Sequence, residues 1–202
     1  MSLRVFRANE VVLSKWSGGT SQQYYVYPEN TTYAERNFAF RISVATAELD
    51  TAMSYSYLPG ITRHLVMLEG VSRVTHVGQY EVVMHPYEEI DVFDGSWSSS
   101  AIGKVTDLNL MLTKGSNGKM TVIENSGEVW AENMCERPTG LQHTALFCGA
   151  ERAVVVIGGV ITELFKGDLL LWEAPDLKLP MQVQLYGGKM VKIDVGTHLA
   201  KD

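Results

Sequence analysis

The sequence predicts an all-β protein, and three observations carry that prediction. Short runs such as FAFRISVATA (38–47), RHLVMLEG (63–70) and KMVKIDV (189–195) alternate or stay apolar over strand lengths. Turn residues interrupt the chain at short intervals, at Gly115 to Gly118, Gly158-Gly159, Gly167-Asp168 and Gly187-Gly188. No long amphipathic helix is present, and only a short helical turn near Ala34 to Asn37 is expected.

Taken in order, the first strand run closes at Val26 to Pro28, and FAFRISVATA follows it. RHLVMLEG is a buried strand ending in a turn, and SRVTHVG (72–78) answers it. Then come KVTDLNLMLT (104–113), KMTVIEN (119–125), RAVVVIGG (152–159), DLLLWE (168–173), MQVQLY (181–186) and KMVKIDV, with Gly187-Gly188 expected as a two-residue hairpin loop. Ten or more short strands suit a sandwich or barrel, of which the double-sheet jelly roll is one closed form. LVMLEG (65–70) echoes VVVIGG (154–159), which leans towards two related barrels in one chain.

Composition excludes several classes. The chain has 202 residues, 46% hydrophobic and 20% charged, as ordinary globular proteins do. A net charge of −6 without clustered Lys and Arg argues against a nucleic-acid partner. No apolar run approaches a bilayer span and the N-terminus lacks the apolar core of a signal peptide, so the expected compartment is the cytoplasm, with no membrane partner. Cys135 and Cys148 are too few for a disulfide framework and read as reduced structural thiols.

The blocks WSGGTSQQYYVYP (16–28), NFAFRISVATAE (37–48), SYLPGITRHLVMLEG (56–70), EEIDVFDGSW (88–97) and TDLNLML (106–112) occur in an order that resembles the HutD/Ves family of bacterial cupin-like proteins. The second half matches diffusely, through features such as FKGDLLLWE. The resemblance implies a bicupin, two fused double-stranded β-helix barrels. They are expected over residues 1–113 and 114–202, with an approximate boundary and strands open to exchange between barrels. It also implies an association with histidine breakdown in some members, with formylglutamate or a related acid as ligand. Many family members carry Asn before the glycine pair and a third glycine after it. Here Ser17 and Thr20 stand at those positions, so a ligand contact made by that Asn falls to a shorter hydroxyl.

Within these blocks, side-chain alternation selects candidate ligand residues. In FAFRISVATA, Arg41, Ser43, Ala45 and Ala47 share one face, opposite Phe40, Ile42 and Val44. The plain reading is a solvated face; the motif favours a pocket. In TDLNLML, Asp107 and Asn109 lie opposite a leucine face, where Asp107 can pair with Arg41 and Asn109 can present an amide. Arg41 or Arg63 is the expected anion anchor. His64, on the other face of its strand from Arg63, ranks below the arginines, as does Glu69. The turn Trp16, Ser17, Gly18, Gly19 is expected to bring bare backbone to the rim of the first barrel beside Arg41 and Asn109, with Trp16 as an apolar wall.

No catalytic residue and no cofactor are assigned. The five histidines, His64, His76, His85, His143 and His198, contain no His-x-His pair, which disfavours a metal, and acids such as Asp91 and Asp94 read as solvated turns. Three functions remain: a cytoplasmic small-acid binding protein with a regulatory role in amino-acid catabolism or stress, a cupin-type isomerase, hydrolase or metal-dependent oxygenase, and a stress-related structural protein with a filled barrel. The binding protein is the leading reading, and the exposed strand edges of jelly rolls suit a homodimer.

Overall fold

The computed structural model describes residues 3–135, 140–175 and 179–198, and every regular element among them is a strand. In chain order these are β1 (Leu3–Phe6), β2 (Leu13–Trp16), β3 (Gly19–Tyr27), β4 (Phe40–Ala47), β5 (Met53–Ser54), β6 (Ile61–Glu69), β7 (Ser72–His76), β8 (Tyr80–Met84), β9 (Ile90–Asp94) and β10 (Ser99–Ile102). They continue as β11 (Val105–Thr113), β12 (Ser116–Ile123), β13 (Gly127–Trp130), β14 (Leu141–Cys148), β15 (Arg152–Ile157), β16 (Val160–Phe165), β17 (Leu169–Pro175), β18 (Pro180–Tyr186) and β19 (Met190–Thr197). All pairings are antiparallel. No helix among the described residues is long and apolar enough to cross a membrane.

The chain forms two compact units. In residues 11–114, a six-stranded sheet in the order β2-β3-β4-β11-β6-β9 faces a four-stranded sheet in the order β5-β10-β7-β8. Leu65, Met67 and Phe93 from the larger sheet pack with Val74, Met84 and Ala101 from the smaller one. Each large side chain of this kind contributes roughly 1.5–3 kcal/mol by leaving water. The other unit joins residues 1–10 to 115–202: β1 pairs with β17 at the edge of the sheet β1-β17-β14-β19-β12, which faces β13-β18-β15-β16. Its core runs from Leu146, Leu170, Trp172 and Met190 to Val155, Ile157, Leu164 and Met181.

The turns correct two expectations. The segment around Ala34 to Asn37 is a hydrogen-bonded turn and not helical. Gly187-Gly188 does not close a hairpin, because β18 pairs with β13 and β15 while β19 pairs with β12 and β14; the glycines carry the chain from one sheet to the other. A two-residue hairpin does occur at Gly158-Gly159, where φ of 54° and 80° sets both residues in the left-handed region that a tight antiparallel turn needs.

Candidate functional site

Register decides which side chains meet. On the inner face of the six-stranded sheet, Val26, Arg41, Met111, Arg63 and Phe93 form one row across β3, β4, β11, β6 and β9. The next row is Gln23, Ser43, Asn109, Leu65 and Asp91, and the third holds Ser21, Ala45, Asp107 and Met67. This face also carries the Leu65, Met67 and Phe93 side chains of the core between the sheets, so Arg41, Ser43, Arg63, Asp107 and Asn109 all lie inside the unit.

Two buried arginines dominate the first row. The Arg41 Nε donates to Gln23 Oε1 at 2.7 Å, an Arg41 terminal nitrogen donates to Ser43 Oγ at 2.7 Å, and its guanidinium carbon lies 4.6 Å from the Tyr33 ring centre. Arg63 sits 4.7 Å from the Tyr55 ring centre and 5.1 Å from that of Phe93. Aromatic faces stabilise a cation without neutralising it. Among the described residues neither guanidinium forms an ion pair with a carboxylate, and Arg63 Nε is buried without a hydrogen-bond partner. Burial lowers the Arg41 pKa to about 10, with Tyr33 opposing and the Arg63 and Arg36 charges adding to the shift; burial also lowers that of Arg63, against the raising influence of Tyr55, Asp107, Tyr33 and Asp91.

Asp107 does not pair with Arg41 as the sequence suggested. It stands two rows away, between Ala45 and Met67, neither of which has a side-chain donor to offer. Its Oδ1 has no partner, and burial raises its pKa to about 7 against the opposing influence of Arg63. Asn109 is buried between Ser43 and Leu65, and its Oδ1 likewise has no partner.

His64 and the glycine turn stand apart from this cluster. His64 is opposite Leu110, on the other face of the sheet, where burial lowers its pKa. Gly19 pairs with Ala47, six residues along β4 from Arg41, which is about 20 Å at strand rise. The turn therefore does not complement Arg41, and its glycines answer to protein atoms. A Cβ on Gly18 would lie 2.1 Å from the Trp16 ring, and one on Gly19 would lie 1.9 Å from the Thr46 carbonyl oxygen. Trp16 is itself 42% exposed and donates its indole N–H to the Thr20 carbonyl at 3.1 Å. A hollow of about 180 Å³ adjoins the turn, lined by it together with Lys15, Ser17, Thr20, Glu48 and Leu49.

Alternation alone could not find the groups that hold the arginines. Gln23 lies in the strand run after the glycine turn, but a bulge between Gln23 and Tyr25 hides which face it takes. Tyr33 is in a loop and Tyr55 follows a two-residue strand, so no periodicity marks either.

Asp91 corrects another expectation, being buried rather than a solvated turn residue. His76 has Nε2 2.9 Å from Asp91 Oδ2 and Nδ1 2.6 Å from Ser99 Oγ, and the Tyr80 hydroxyl donates to Asp91 Oδ1 at 2.6 Å. Although this is a Ser, His and Asp in series, both ring nitrogens and both carboxylate oxygens are engaged by protein. The rings of Phe93, Tyr80 and Trp97 pack at centroid distances of 4.4, 4.7 and 5.6 Å around the imidazole. The network ties β7 and β10 to β9, bridging the two sheets of the unit. Among the described residues no three His, Cys, Asp or Glu side chains gather as a metal-ligand set, so the histidines present do not fit the metal centre common in cupins.

The inner face of the other unit also holds charge, but there it is neutralised. Lys192 Nζ bonds to Asp194 Oδ2 and to the Trp130 carbonyl at 2.8 Å, and Thr144 Oγ1 donates to Asp194 Oδ1 at 2.9 Å. A cation already holding a carboxylate has little left for a ligand acid.

Two antiparallel sheets closed over a partly polar interior define a cupin-type jelly-roll protein. A family model described as HutD matches residues 8–189, and the chain belongs to the HutD family. Among solved structures, it resembles HutD from Pseudomonas fluorescens SBW25, determined in a formate condition, with a TM-score of 0.77 and 20% identity over 98% of this chain and 100% of that one. A conserved protein of unknown function from Pseudomonas aeruginosa PAO1 gives 0.80 at 17% identity, with coverage of 98% and 100%. An oxalate decarboxylase variant from Bacillus subtilis gives 0.59 at 10% identity, covering 96% and 77%. These identities carry the fold alone. No curated protein matches the chain by sequence.

Proposed function

We propose that the chain is a bicupin whose first barrel binds a small carboxylic acid, in the manner of a sensor or carrier and not of a metal enzyme. The observation that carries this reading is the pair of buried arginines, Arg41 and Arg63, in one row of the inner face with no carboxylate paired to either among the described residues. A buried cation without a counter-ion is costly, and an anionic ligand would relieve that cost. Guanidinium groups suit the role because their planar donors match carboxylate geometry. Ser43, Asn109 and Asp107 complete the polar surface, whereas the turn at Trp16 to Gly19 and His64 are outside it. Membership of the HutD family is in keeping with the small acid that the resemblance implied, and a formylglutamate-like compound fits the class.

The test is thermal unfolding of chelator-treated protein titrated with formylglutamate, urocanate and glutamate. Binding to the native state adds about 2.7 kcal/mol at a hundredfold excess over the dissociation constant. A saturating rise in midpoint with one acid, lost in Arg41→Ala and in Arg63→Ala, is expected. Unchanged affinity in both variants would place the ligand elsewhere.

A second reading, an enzyme acting on such an acid, is favoured by Asp107 alone, because a buried carboxyl with a pKa near 7 suits proton transfer. Incubation of the bound acid in deuterated water, followed by proton NMR, separates the readings. Exchange at a carbon position, lost in Asp107→Asn, would establish the enzyme.

A further inference from the structure

We propose that Asp107 and Asn109 read a hydrogen-bond donor on the bound acid, so that the barrel selects carboxylic acids bearing an N–H or O–H group over donor-free isosteres. This rests on the proposed carboxylate site and specifies its ligand further. Three buried polar atoms on one inner face have no protein partner, and they differ in kind: Arg63 Nε needs an acceptor, while Asp107 Oδ1 and Asn109 Oδ1 need donors. A simple carboxylate answers only the first and would set its oxygens against the other two.

The strands explain why the protein does not supply these donors itself. Asp107 is flanked by Ala45 on β4 and Met67 on β6, and Asn109 by Ser43 and Leu65. The Ser43 hydroxyl oxygen already accepts from Arg41. If the Asn109 amide is rotated, Asp107 remains an acceptor with no donor beside it. The ionisable and charged groups that act on Asp107 reduce to Arg63, which stabilises its anionic form, and Tyr55, whose own pKa is raised by burial and by the Asp107 charge. The Asn109 row lies two residues from the arginine row, about 7 Å along the strands, and the Asp107 row two residues further. An acid with a donor a few atoms from its carboxylate can engage both ends. Sites that hydrogen-bond a ligand O–H or N–H reject the analogue lacking it strongly, because their own buried groups are then left without partners.

The experiment compares two matched pairs: N-acetylglycine against levulinate, in which CH₂ replaces N–H, and malate against succinate. Calorimetric or thermal-shift affinities are measured above about pH 8, where the Asp107 carboxyl is ionised. The donor-bearing member is expected to bind at least about tenfold more tightly in the wild type. In Asp107→Ala and in Asn109→Ala the preference should shrink, the ratio of affinities within each pair moving towards one. Equal wild-type affinities within both pairs would overturn the proposal and leave the arginine site standing. If none of the four acids binds, or if Arg41→Ala and Arg63→Ala bind them unchanged, the carboxylate reading fails and this one with it. A preference that survives both Asp107→Ala and Asn109→Ala would also overturn it, since the donor would then be read elsewhere.

Discussion

Arg63 costs the free protein stability, because its guanidinium is desolvated and, among the described residues, meets aromatic faces but no carboxylate. Replacing a buried charge by an apolar side chain of similar length is often stabilising. Arg63→Met should therefore raise the unfolding free energy of the ligand-free protein by about 1 kcal/mol or more while abolishing acid binding. A denaturant midpoint below that of the wild type would show that the aromatic contacts outweigh the desolvation. Asp107 adds a pH dependence whose sign follows from its raised pKa, from 3.8 to about 7. Between those values the native state keeps a proton that the unfolded chain has released, so stability falls as pH rises through this window and the loss is complete above it. Asp107→Asn should remove that slope, gaining up to about 4 kcal/mol over the wild type at pH 8 but little at pH 4. Parallel pH profiles for the two proteins would contradict it. His76 is different, since its partners are all protein. His76→Ala leaves Asp91 and Ser99 buried with a bond missing and should cost about 2–4 kcal/mol in urea unfolding.

At the scale of elements, β11 is the strand that organises the site. It is flanked by β4 and β6, and its odd positions point into the unit while Leu108, Leu110 and Leu112 point to the other face. That division was legible from TDLNLML, because a period of two needs only the identity of alternate residues. What alternation could not supply was the offset between strands, which puts Asp107 opposite Ala45 and Met67 and sets Arg41 and Arg63 on either side of Met111. The turn between β2 and β3 teaches a related lesson. Two glycines permit close approach by any atom, and in this fold the atoms are the Trp16 ring and the Thr46 carbonyl. Gly19→Ala should destabilise the hairpin by more than about 1 kcal/mol, since the neighbour is backbone and cannot rotate away. Acid binding should persist in that variant wherever it folds, and a selective loss of binding would return the turn to the site.

At the scale of the molecule, the N-terminal strand belongs to the unit built from residues 115–202, where β1 pairs with β17 and the Arg7 guanidinium meets Asp168 at 2.5 Å. Asp168 accepts further bonds from the backbone N–H groups of Ala8 and Phe165, so its carboxylate holds the chain entry and the turn before β17 together. Deletion of residues 1–10 should expose the β17 edge and leave Asp168 short of partners. Hydrogen exchange should then quicken at the Leu169–Trp172 amides while β4 and β11 stay protected. Equal protection of β17 with and without the segment would mean that the strand adds no stability there.

The sequence by itself determined that this chain folds as strands, which residues of β4, β6 and β11 share a face, and through its ordered blocks the family to which it belongs. These are properties of neighbours in the chain, and side-chain period, turn chemistry and spacing report them directly. Only the tertiary structure decided which like faces meet. Register set two arginines in one row without a carboxylate among the described residues, moved Asp107 out of reach of Arg41 and drew Asp91 into contact with His76. Charge pairing and burial depend on distances between residues far apart in sequence, and a shift of one residue in any strand would have rearranged them all.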